Sequence, residues 1–344
     1  MSETAPPASP VRVSVVGGGS WGTSFARLLA RNGCRVELLC RRPAQAAAIN
    51  REHRNPDYLQ HVDLPEDLVA TSFSENSLGE ASLVVIALPS KVYREAVHNL
   101  ARNINSGAAV LSLTKGIERE SLKRFSRVLG EELPEPVRRR VAVLSGPNHA
   151  EEVALDIPAA ATIAAVDAGL ARWLQELVSN GSFRAYVNTD MAGVEFCGAA
   201  KNVIALAAGM SDGLGLGDNT KASLMTRGLA EMARLGERLG ARQQTFSGLA
   251  GMGDLIATCT SRHSRNRRAG ELIAGGMTPA AAEAELGMIA EGIITAPSLR
   301  ELARRHSVEM PITEQVCAVL EGKSVRDALF ELMSRSPRAE TDTG

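Results

Sequence analysis

The 344-residue sequence predicts an α/β N-terminal domain followed by an all-α C-terminal domain. Short valine-rich runs alternate with helical patterns in the first half, strand signals vanish after about Asn188, and the length suits about two domains. Such alternation is typical of a largely parallel sheet with helices on both faces. The expected boundaries are a tail at 1–10, the α/β domain at 11–190, the helical domain at 191–335 and a second tail at 336–344.

The chain opens on a β-α-β pattern. Residues 11–16 form a short apolar run that ends in three consecutive glycines. A helical pattern follows over residues 20–32, Gly33 ends it, and residues 35–40 form a second strand. A β-α-β unit of this length, about 30 residues, is the usual building block of a parallel sheet.

Further elements follow the same two patterns. Strands are expected at 83–88, 109–113, 141–144 and 160–166, with helical stretches between most of them. In the second half, helices are expected at 191–210, 220–239, 265–273 and 314–320. The glycine-rich segment 209–217 is interpreted as a loop, because helices flank it closely.

The glycine run fits the pattern G-x-G-x-x-G between a strand and a helix. Gly17 permits the tight turn, Gly19 lets the backbone approach a pyrophosphate, and Gly22 lets helix and strand pack closely. The N-terminus of the following helix offers N–H groups and a partial positive charge to phosphates. A glycine-rich turn without a ligand is the alternative, but the context favours a Rossmann-type dinucleotide site.

The end of the second strand bears on which nicotinamide nucleotide binds. NAD-specific folds usually place Asp or Glu there, to hold the ribose 2′-hydroxyl. Here the strand ends at Cys40 and is followed by Arg41 and Arg42, whose guanidinium groups suit a 2′-phosphate. We therefore expect NADPH or NADH as cofactor, with NADP favoured. Two solvated arginines at a strand end are the alternative.

One lysine of the second half lies in an apolar helical stripe. The helical neighbours of Lys201 are Val194, Cys197, Gly198, Ile204, Ala205 and Ala208. A buried lysine is costly unless it meets a polar cavity or a partner, and burial lowers its pKa toward the range of a general base. A lysine whose stem merely lies along small neighbours is the alternative.

Polar residues also follow two predicted strands at one edge of the sheet. Lys115 lies in the segment 114–116 after one strand, and the segment 145–148 follows the next. Loops at the carboxyl ends of parallel strands line the ligand crevice of a doubly wound sheet. Both segments could therefore converge on Lys201.

Two segments of the helical domain could reach the same place. Residues 251–254 form a glycine-rich turn that presents Asp254, either as a site carboxylate or as a helix N-cap. Residues 264–268 open a helix, and a helix N-terminus that carries Arg265 and Asn266 suits a phosphate. A solvated basic first turn is the alternative.

Composition argues against several classes of protein. The 38 Lys and Arg against 39 Asp and Glu leave a net charge of −1, so neither nucleic acid nor an acidic membrane is an expected partner. The longest apolar run, 203–210, falls short of the roughly 18 residues that span a bilayer, and the first ten residues lack a signal-peptide pattern. Five widely spaced cysteines and six scattered histidines predict no disulfide scaffold and no metal site. Reduced cysteines suit a cytoplasmic protein.

These residues match a known family. The chain resembles the bacterial-type NAD(P)-dependent sn-glycerol-3-phosphate dehydrogenases from residue 11 to about residue 335. The motifs that carry the resemblance are GGGSWGT (17–23), TKGIE (114–118), SGP (145–147), GAAKNVIALAAGMSDGLGLGDN (198–219), RGLAEMARLG (227–236), GLAGMGDLIATCTS (248–261), SRNRR (264–268) and PITEQV (311–316). The resemblance implies that the enzyme interconverts dihydroxyacetone phosphate and sn-glycerol 3-phosphate by hydride transfer with NADH or NADPH. It also implies a role in supplying the backbone of glycerophospholipids.

The resemblance implies roles for individual residues. Lys201 would be the proton acceptor, and Lys115 would contact both substrate and cofactor. Our own mechanistic hypothesis adds that Asp254 orients Lys201 electrostatically. Further substrate contacts are implied for Gly146, Asp254, Ser264, Arg265 and Asn266, with Arg265 also reaching the cofactor. Nucleotide contacts are implied for Ser20, Trp21, Arg41, Arg42, Ala150, Ile289 and Glu291.

The sequence departs from the family pattern at two places. After SGP the family commonly has Ser or Thr and then Phe, whereas Asn148 and His149 stand here. A substrate contact by Asn148 is kept as an expectation, and His149 changes the local packing. The second departure is Gln60-His61, where the family usually has Pro-Gly. Neither change touches the implied chemistry.

Two alternatives remain open at this point. One is a related two-domain reductase of another small 2-oxo or 3-hydroxy acid, for which Arg265 should matter less than for a phosphorylated substrate. The other is a nucleotide sensor without turnover, against which the presence of Lys201 and Asp254 argues. The expected partner is a small phosphorylated substrate. The helical domain is rich in Ala and Gly and could also pair with a copy of itself, so a homodimer stays open.

Overall fold

The protein, described here from a computed structural model, is built on one eight-stranded sheet. The structure describes residues 10–73 and 78–336. The strands are β1 (Arg12–Val16), β2 (Arg35–Cys40), β3 (Val69–Ser72), β4 (Leu83–Ile86), β5 (Ala109–Ser112), β6 (Val141–Ser145), β7 (Ala159–Ala165) and β8 (Phe183–Asn188).

The strand order across the sheet is β3-β2-β1-β4-β5-β6-β7-β8. All neighbouring strands are parallel except β6 and β7. The order of the first six strands is that of Rossmann-type dinucleotide-binding folds, and β7 and β8 extend the sheet on one side. The predicted Rossmann-type α/β class is therefore confirmed.

Helices cover both faces of the sheet. They are α1 (Ser20–Arg31), α2 (Pro43–Glu52), α3 (Tyr93–Ala101), α4 (Phe125–Glu132), α5 (Glu135–Arg138), α6 (Ala150–Ala154) and α7 (Ala168–Val178), with a 3₁₀ turn at Ser90–Val92. Alternate residues of β4 enter different apolar clusters. Leu83 and Val85 pack with residues of α1 and α7, whereas Val84 and Ile86 pack with residues of α3 and α4.

The sequence prediction missed the two edge strands, β3 and β8. β3 has only four residues, and Val69 at its start is 50% exposed. β8 alternates buried Phe183 and Ala185 with exposed Arg184 and Tyr186. An edge strand of this kind buries one face only, so it lacks the continuous apolar run that identifies a central parallel strand.

From Met191 onward the described chain is helical, which confirms the predicted all-α half. The helices are α8 (Met191–Gly213), α9 (Gly217–Arg238), α10 (Gln243–Phe246), α11 (Asp254–Thr260), α12 (Arg265–Ala274), α13 (Pro279–Leu286), α14 (Glu291–Arg305), α15 (Pro311–Leu320) and α16 (Val325–Met333). A π-helical turn at Leu249–Gly253 leads into α11. The long helix α8 is the centre of this half, since α9, α11, α12 and α14 all pack against it.

Helix α8 is longer than the sequence predicts. It runs through the first five residues of the segment 209–217, and only beyond it do Gly215 and Gly217 turn the chain with φ of 69° and 80°. The reason is close packing: a Cβ on Gly209 would lie 1.8 Å from the carbonyl oxygen of Arg267 in α12. The prediction of a loop over the whole segment was therefore wrong.

The same helix passes a length-and-composition test for a bilayer-spanning helix. An 18-residue window of α8 has a mean hydropathy of 1.3. The expectation that no stretch approaches that length was wrong, because Ala and Gly extend the apolar character across Lys201. Of that window, 89% is buried inside the protein, as in the core helix of a folded domain, and no second such helix occurs among the described residues.

The sheet ends at Asn188 and α8 begins at Met191. We keep the domain boundaries at 11–190 and 191–335 as a proposal. The predicted tails, 1–10 and 336–344, fall outside the described residues except for residues 10 and 336.

Candidate active site

The glycine turn between β1 and α1 has the shape that a pyrophosphate site requires. Gly17 has a φ of +121°, and a Cβ on Gly22 would lie 1.8 Å from the carbonyl oxygen of Gly17. A Cβ on Gly19 would meet nothing within 4 Å among the described residues, so this side of the turn is open. Gly19 is also the N-cap of α1, and the N–H groups of the first turn that follows have no intrahelical partner.

The middle glycine is also constrained, which the fingerprint does not indicate. A Cβ on Gly18 would lie 2.6 Å from the Cys40 sulfur. The carbonyl oxygen of Gly18 accepts hydrogen bonds from the side-chain amides of Gln45 (2.8 Å) and Asn55 (2.9 Å). These contacts hold the backbone of the turn in place at Gly18. Only the structure reveals them, because the pattern leaves that position open.

Four further residues expected at the nucleotide lie at helix starts or beside one. Ser20 and Trp21 are the first two residues of α1, and Ala150 is the first residue of α6. Ile289 is half-buried in the segment before α14. The indole N–H of Trp21 is buried without a hydrogen-bond partner among the described residues.

The two arginines after β2 differ in their surroundings. Arg42 forms an ion pair with Asp57, whereas Arg41 is exposed and has no ion-pair partner in the described part of the chain. A guanidinium group without a carboxylate partner is the better donor for a phosphate. Arg41 is therefore the stronger candidate of the two.

Glu291, the first residue of α14, reaches across to the α/β half of the molecule. Its carboxylate accepts hydrogen bonds from the backbone N–H of Ser90 (3.0 Å) and from the Ser90 hydroxyl. Burial raises the pKa of Glu291 against the effect of these donors and of the nearby Arg265. The structure thus brings Glu291 and Arg265 together beside the turn that follows β4.

Lys201 lies on α8 and is 4% exposed. Its Nζ atom lies 2.8 Å from Oδ1 of Asp254, and it also donates to the hydroxyl of Thr258. The Thr258 hydroxyl in turn donates to the backbone carbonyl of Asp254 at 2.6 Å. Lys201 therefore points away from bulk solvent into a polar site.

The other oxygen of Asp254 binds a second lysine from the α/β half. The Nζ atom of Lys115 lies 2.7 Å from Oδ2 of Asp254, 3.1 Å from the carbonyl oxygen of Gly146 and 3.3 Å from the amide oxygen of Asn148. Gly146 has a φ of +145°, which turns this carbonyl toward the lysine. The Asn148 amide nitrogen is buried without a partner among the described residues.

Asp254 is the first residue of α11 and is 2% exposed. The alternative of an N-cap role was wrong, because Gly253 takes the N-cap position. The predicted turn at 251–254 is also replaced by the π-helical turn that ends at Gly253.

The electrostatics of the three groups are coupled. Burial, the largest influence, lowers the pKa of Lys201 to about 8, and the positive charge of Lys115 acts in the same direction, while Asp254 opposes it. Burial disfavours the charged form of Asp254, but the two ammonium groups more than compensate and hold its pKa below the ordinary value. The result is a lysine that can lose its proton near pH 8 beside a carboxylate whose ionised form is favoured.

The start of α12 lies next to this group. Ser264 is the N-cap and accepts from the N–H of Arg267 at 3.2 Å, and Arg265 is exposed. The Asn266 amide donates to Asn202 of α8 at 2.9 Å and accepts from the N–H of Gly292 of α14 at 2.8 Å. The Asn266 side chain therefore ties three helices together.

Sequence reasoning missed Thr258 and Ser90. Thr258 lies four residues after Asp254, one helical turn along α11, so the spacing could have indicated it. Ser90 lies 201 residues from Glu291, and no local pattern connects the two.

Comparisons with known proteins show which family the chain belongs to. The family model described as the NAD-dependent glycerol-3-phosphate dehydrogenase N-terminus matches residues 12–171, and that of the C-terminus matches residues 190–331. Relatives named glycerol-3-phosphate dehydrogenase, NAD(P)+, include one from Streptomyces coelicolor, 48% identical over 96% of this chain and 98% of its own length. A second, from Bacillus cytotoxicus, is 47% identical over 96% of this chain and 97% of its own length.

A solved structure shares the whole architecture. The crystal structure of glycerol-3-phosphate dehydrogenase from Coxiella burnetii has a TM-score of 0.90 and 37% identity, and the match covers 95% of this chain and 100% of that one. The resemblance inferred from the motifs is confirmed. The chain belongs to the NAD-dependent glycerol-3-phosphate dehydrogenase family.

Proposed function

We propose that this protein interconverts dihydroxyacetone phosphate and sn-glycerol 3-phosphate with NADPH or NADH. The observation that carries the proposal is the buried Lys201 amine, held 2.8 Å from an Asp254 carboxylate that also binds Lys115 from the α/β half. A lysine in this setting is matched to proton transfer to and from a substrate hydroxyl oxygen. The family membership supplies the substrate class.

The proposed chemistry is a proton transfer coupled to hydride transfer. A nicotinamide nucleotide held at the glycine turn would supply the hydride acceptor for C2 of glycerol 3-phosphate and, in reverse, the hydride donor for C2 of dihydroxyacetone phosphate. In the oxidation, neutral Lys201 takes the proton of the C2 hydroxyl. In the reduction, the Lys201 ammonium polarises the ketone and returns the proton.

The neighbours of Lys201 keep it ready for this task. Asp254 and Thr258 hold the amine in one orientation and would stabilise the ammonium form. Lys115 adds a second positive charge beside the reacting oxygen, and we expect it to contact both substrate and cofactor. The amide N–H of Asn148, next to Lys115, has no partner among the described residues and suits a substrate oxygen.

The phosphate of the substrate is assigned to the start of α12. Arg265 supplies a guanidinium group, and the helix N-terminus beyond Ser264 supplies backbone N–H groups. Asn266 already bonds Asn202 and Gly292, so we assign it a substrate contact through its remaining N–H only. Gly146 would face the same pocket through its backbone.

The nucleotide is assigned to the glycine turn, with the residues at 17, 19, 20, 21, 22, 41, 42, 115, 150, 265, 289 and 291 as its contacts. The open space over Gly19 fits a pyrophosphate, because a Cβ there would occupy it. Arg41 favours NADPH over NADH, since it is exposed and Arg42 is already paired with Asp57.

We also propose a cytoplasmic location and a role in supplying glycerophospholipid backbones. The five cysteines are unpaired and buried, as suits a reducing compartment. A homodimer formed through the helical half stays a prediction.

The test is the oxidation of NADPH and of NADH, followed by absorbance, with dihydroxyacetone phosphate as substrate. We expect turnover with both cofactors and a lower KM for NADPH. Lys201→Met should cut turnover by about 10²–10⁴-fold, the usual share of acid–base catalysis, with nucleotide binding retained. Near-normal turnover of that variant would remove Lys201 from the proton-transfer role, and no turnover of the wild type would refute the proposed function.

A further inference from the structure

Glu195 joins the two halves of the molecule at a point that the proposed chemistry does not use. It lies on α8, and its carboxylate accepts from the backbone N–H of Ser126 (2.8 Å), from the Ser126 hydroxyl and from the guanidinium group of Arg124 (2.7 Å). Ser126 is the second residue of α4, where N–H groups lack intrahelical partners. We call these three residues, Glu195, Arg124 and Ser126, the Glu195 clamp.

The clamp holds the short loop that follows Lys115 in the chain. Ile117 and Arg124 form an antiparallel bridge, so the two ends of the loop 117–124 are tied together. Lys115 lies two residues before this bridge. A contact that fixes Arg124 against α8 therefore also fixes the start of the Lys115 side chain.

Helix α8 also passes close to the stem of Lys115, at Gly198. A Cβ on Gly198, three residues after Glu195, would lie 2.6 Å from the Ser145 hydroxyl and 3.4 Å from Cγ of Lys115. The Lys115 stem thus lies along the α8 backbone before its ammonium group reaches Asp254. Lys201, further along the same helix, meets the other oxygen of Asp254.

We propose that Glu195 is a positioning residue: by clamping α8 to the loop of Lys115, it keeps the Asp254 carboxylate shared between two ammonium groups. The inference rests on the proposed function. Without the clamp, the Lys115 ammonium group moves away from Asp254, and Asp254 then pairs with Lys201 alone. Lys201 then holds its proton more tightly, and less of the neutral base is present at a given pH.

The groups that face Lys201 come from several elements. Asp254, Thr258 and Cys259 lie on α11, His149 lies before α6, and Lys115 comes from the loop after β5. Of these groups, Lys115 is the one whose loop Glu195 holds.

Glu195 itself faces two titratable groups. One is Arg124, whose positive charge opposes the rise that burial causes in the pKa of Glu195, and the other is Tyr93, whose pKa is raised by burial, so that it stays neutral. We therefore expect the loss of the Glu195 charge to affect the protonation of Lys201 through the loop and Lys115.

The experiment measures kcat/KM for glycerol 3-phosphate oxidation with NADP+ as a function of pH. This rate rises with pH as Lys201 becomes neutral. Glu195→Gln keeps an acceptor for Ser126 but loses the charge that pairs with Arg124. We call the rising, acidic side of this pH profile the acid limb, and we expect it to shift to higher pH by about 0.5–1 pH unit in this variant. Ser126→Ala, which leaves that ion pair intact, should move it in the same direction by less.

Glu231→Gln is the matched control. Glu231 is a buried carboxylate on α9 that accepts from the backbone N–H of Ile312 at 2.6 Å, so it caps a helix start as Glu195 does, but within the helical half. This variant should lose or gain stability in thermal melts without moving the acid limb. The melts also establish that each variant is folded. Should Glu195→Gln fail to fold, Ser126→Ala carries the test.

A double variant decides whether Glu195 acts through Lys115. In a Lys115→Met background, the limb is already displaced, and Glu195→Gln should add no further shift. An unmoved limb in Glu195→Gln and Ser126→Ala, an equal shift in Glu231→Gln, or a further shift on top of Lys115→Met would each overturn the proposal. Failure of the proposed function looks different, because the wild type itself would then show no turnover.

Discussion

Replacing Gly209 by Ala tests whether the contact between α8 and α12 holds the proposed phosphate site in place. The new Cβ would lie 1.8 Å from the carbonyl oxygen of Arg267, whereas ordinary contact begins near 3.4 Å. The obstacle is backbone and cannot rotate away. The two helices must therefore separate locally by about 1.6 Å, since a packed interior has no space to absorb a methyl group.

A displacement of this size has two consequences. It stretches the hydrogen bond of 2.9 Å between Asn266 and Asn202 beyond a useful length. Overpacking costs about 1–3 kcal/mol, offset by about 1 kcal/mol from the better helix propensity of Ala, so we expect a net loss of up to about 2 kcal/mol. Misplacing the start of α12 weakens the hold on the phosphate by about 1.5 kcal/mol, a tenfold rise in the KM for dihydroxyacetone phosphate.

Urea unfolding and steady-state kinetics measure the two effects. Gly130→Ala in α4 is the matched control, because a Cβ there meets nothing within 4 Å among the described residues. That variant should be more stable than the wild type by up to about 1 kcal/mol, with unchanged kinetics. If Gly209→Ala were as stable as Gly130→Ala and kept its KM, the close helix contact would not support the phosphate site as we argue.

Two further predictions concern the nucleotide and the pH dependence of stability. Arg41→Ala should weaken NADPH binding by about 1–2 kcal/mol and leave NADH binding unchanged, as measured by fluorescence titration; an equal loss for both nucleotides would exclude a 2′-phosphate contact. Burial raises the pKa of Glu231 from 4.5 to about 7, against the N–H donors of Ile312 and Thr313. Because the folded state holds this proton more tightly than the unfolded chain, the resulting stability is present below pH 4.5 and lost as the pH rises through 7. Glu231→Gln should therefore gain stability relative to the wild type between about pH 5 and pH 7.5 in urea unfolding, and a difference that does not vary with pH would contradict the pKa shift.

Much of the fold could be predicted from the sequence, because central strands and long helices have strong patterns. The convergence of Lys115 and the segment 145–148 also followed from one rule, that carboxyl ends of parallel strands share an edge. The structure adds that Lys115 and the Ser145 hydroxyl both contact Asp254, which also binds Lys201. The sequence alone left the role of that carboxylate open.

Contacts between distant segments were beyond sequence reasoning. The Ser90 contact of Glu291 and the packing at Gly209 depend on how helices from different parts of the chain approach each other. Glu195 did have a local signal, since it lies in the same apolar helix as Lys201 and is nearly as buried. A charged residue in such a helix needs a partner, but its partner, Ser126, can be identified only in three dimensions.

The side chain of Asn266 links segments that are far apart in the chain. This side chain of α12 bonds both α8 and α14, so local unfolding of any one of the three helices at this point breaks a hydrogen bond to another. Their backbone amides around this point should exchange with deuterium as one cooperative unit. Local unfolding at the proposed phosphate site and at the Glu291 contact would then occur as a single opening event.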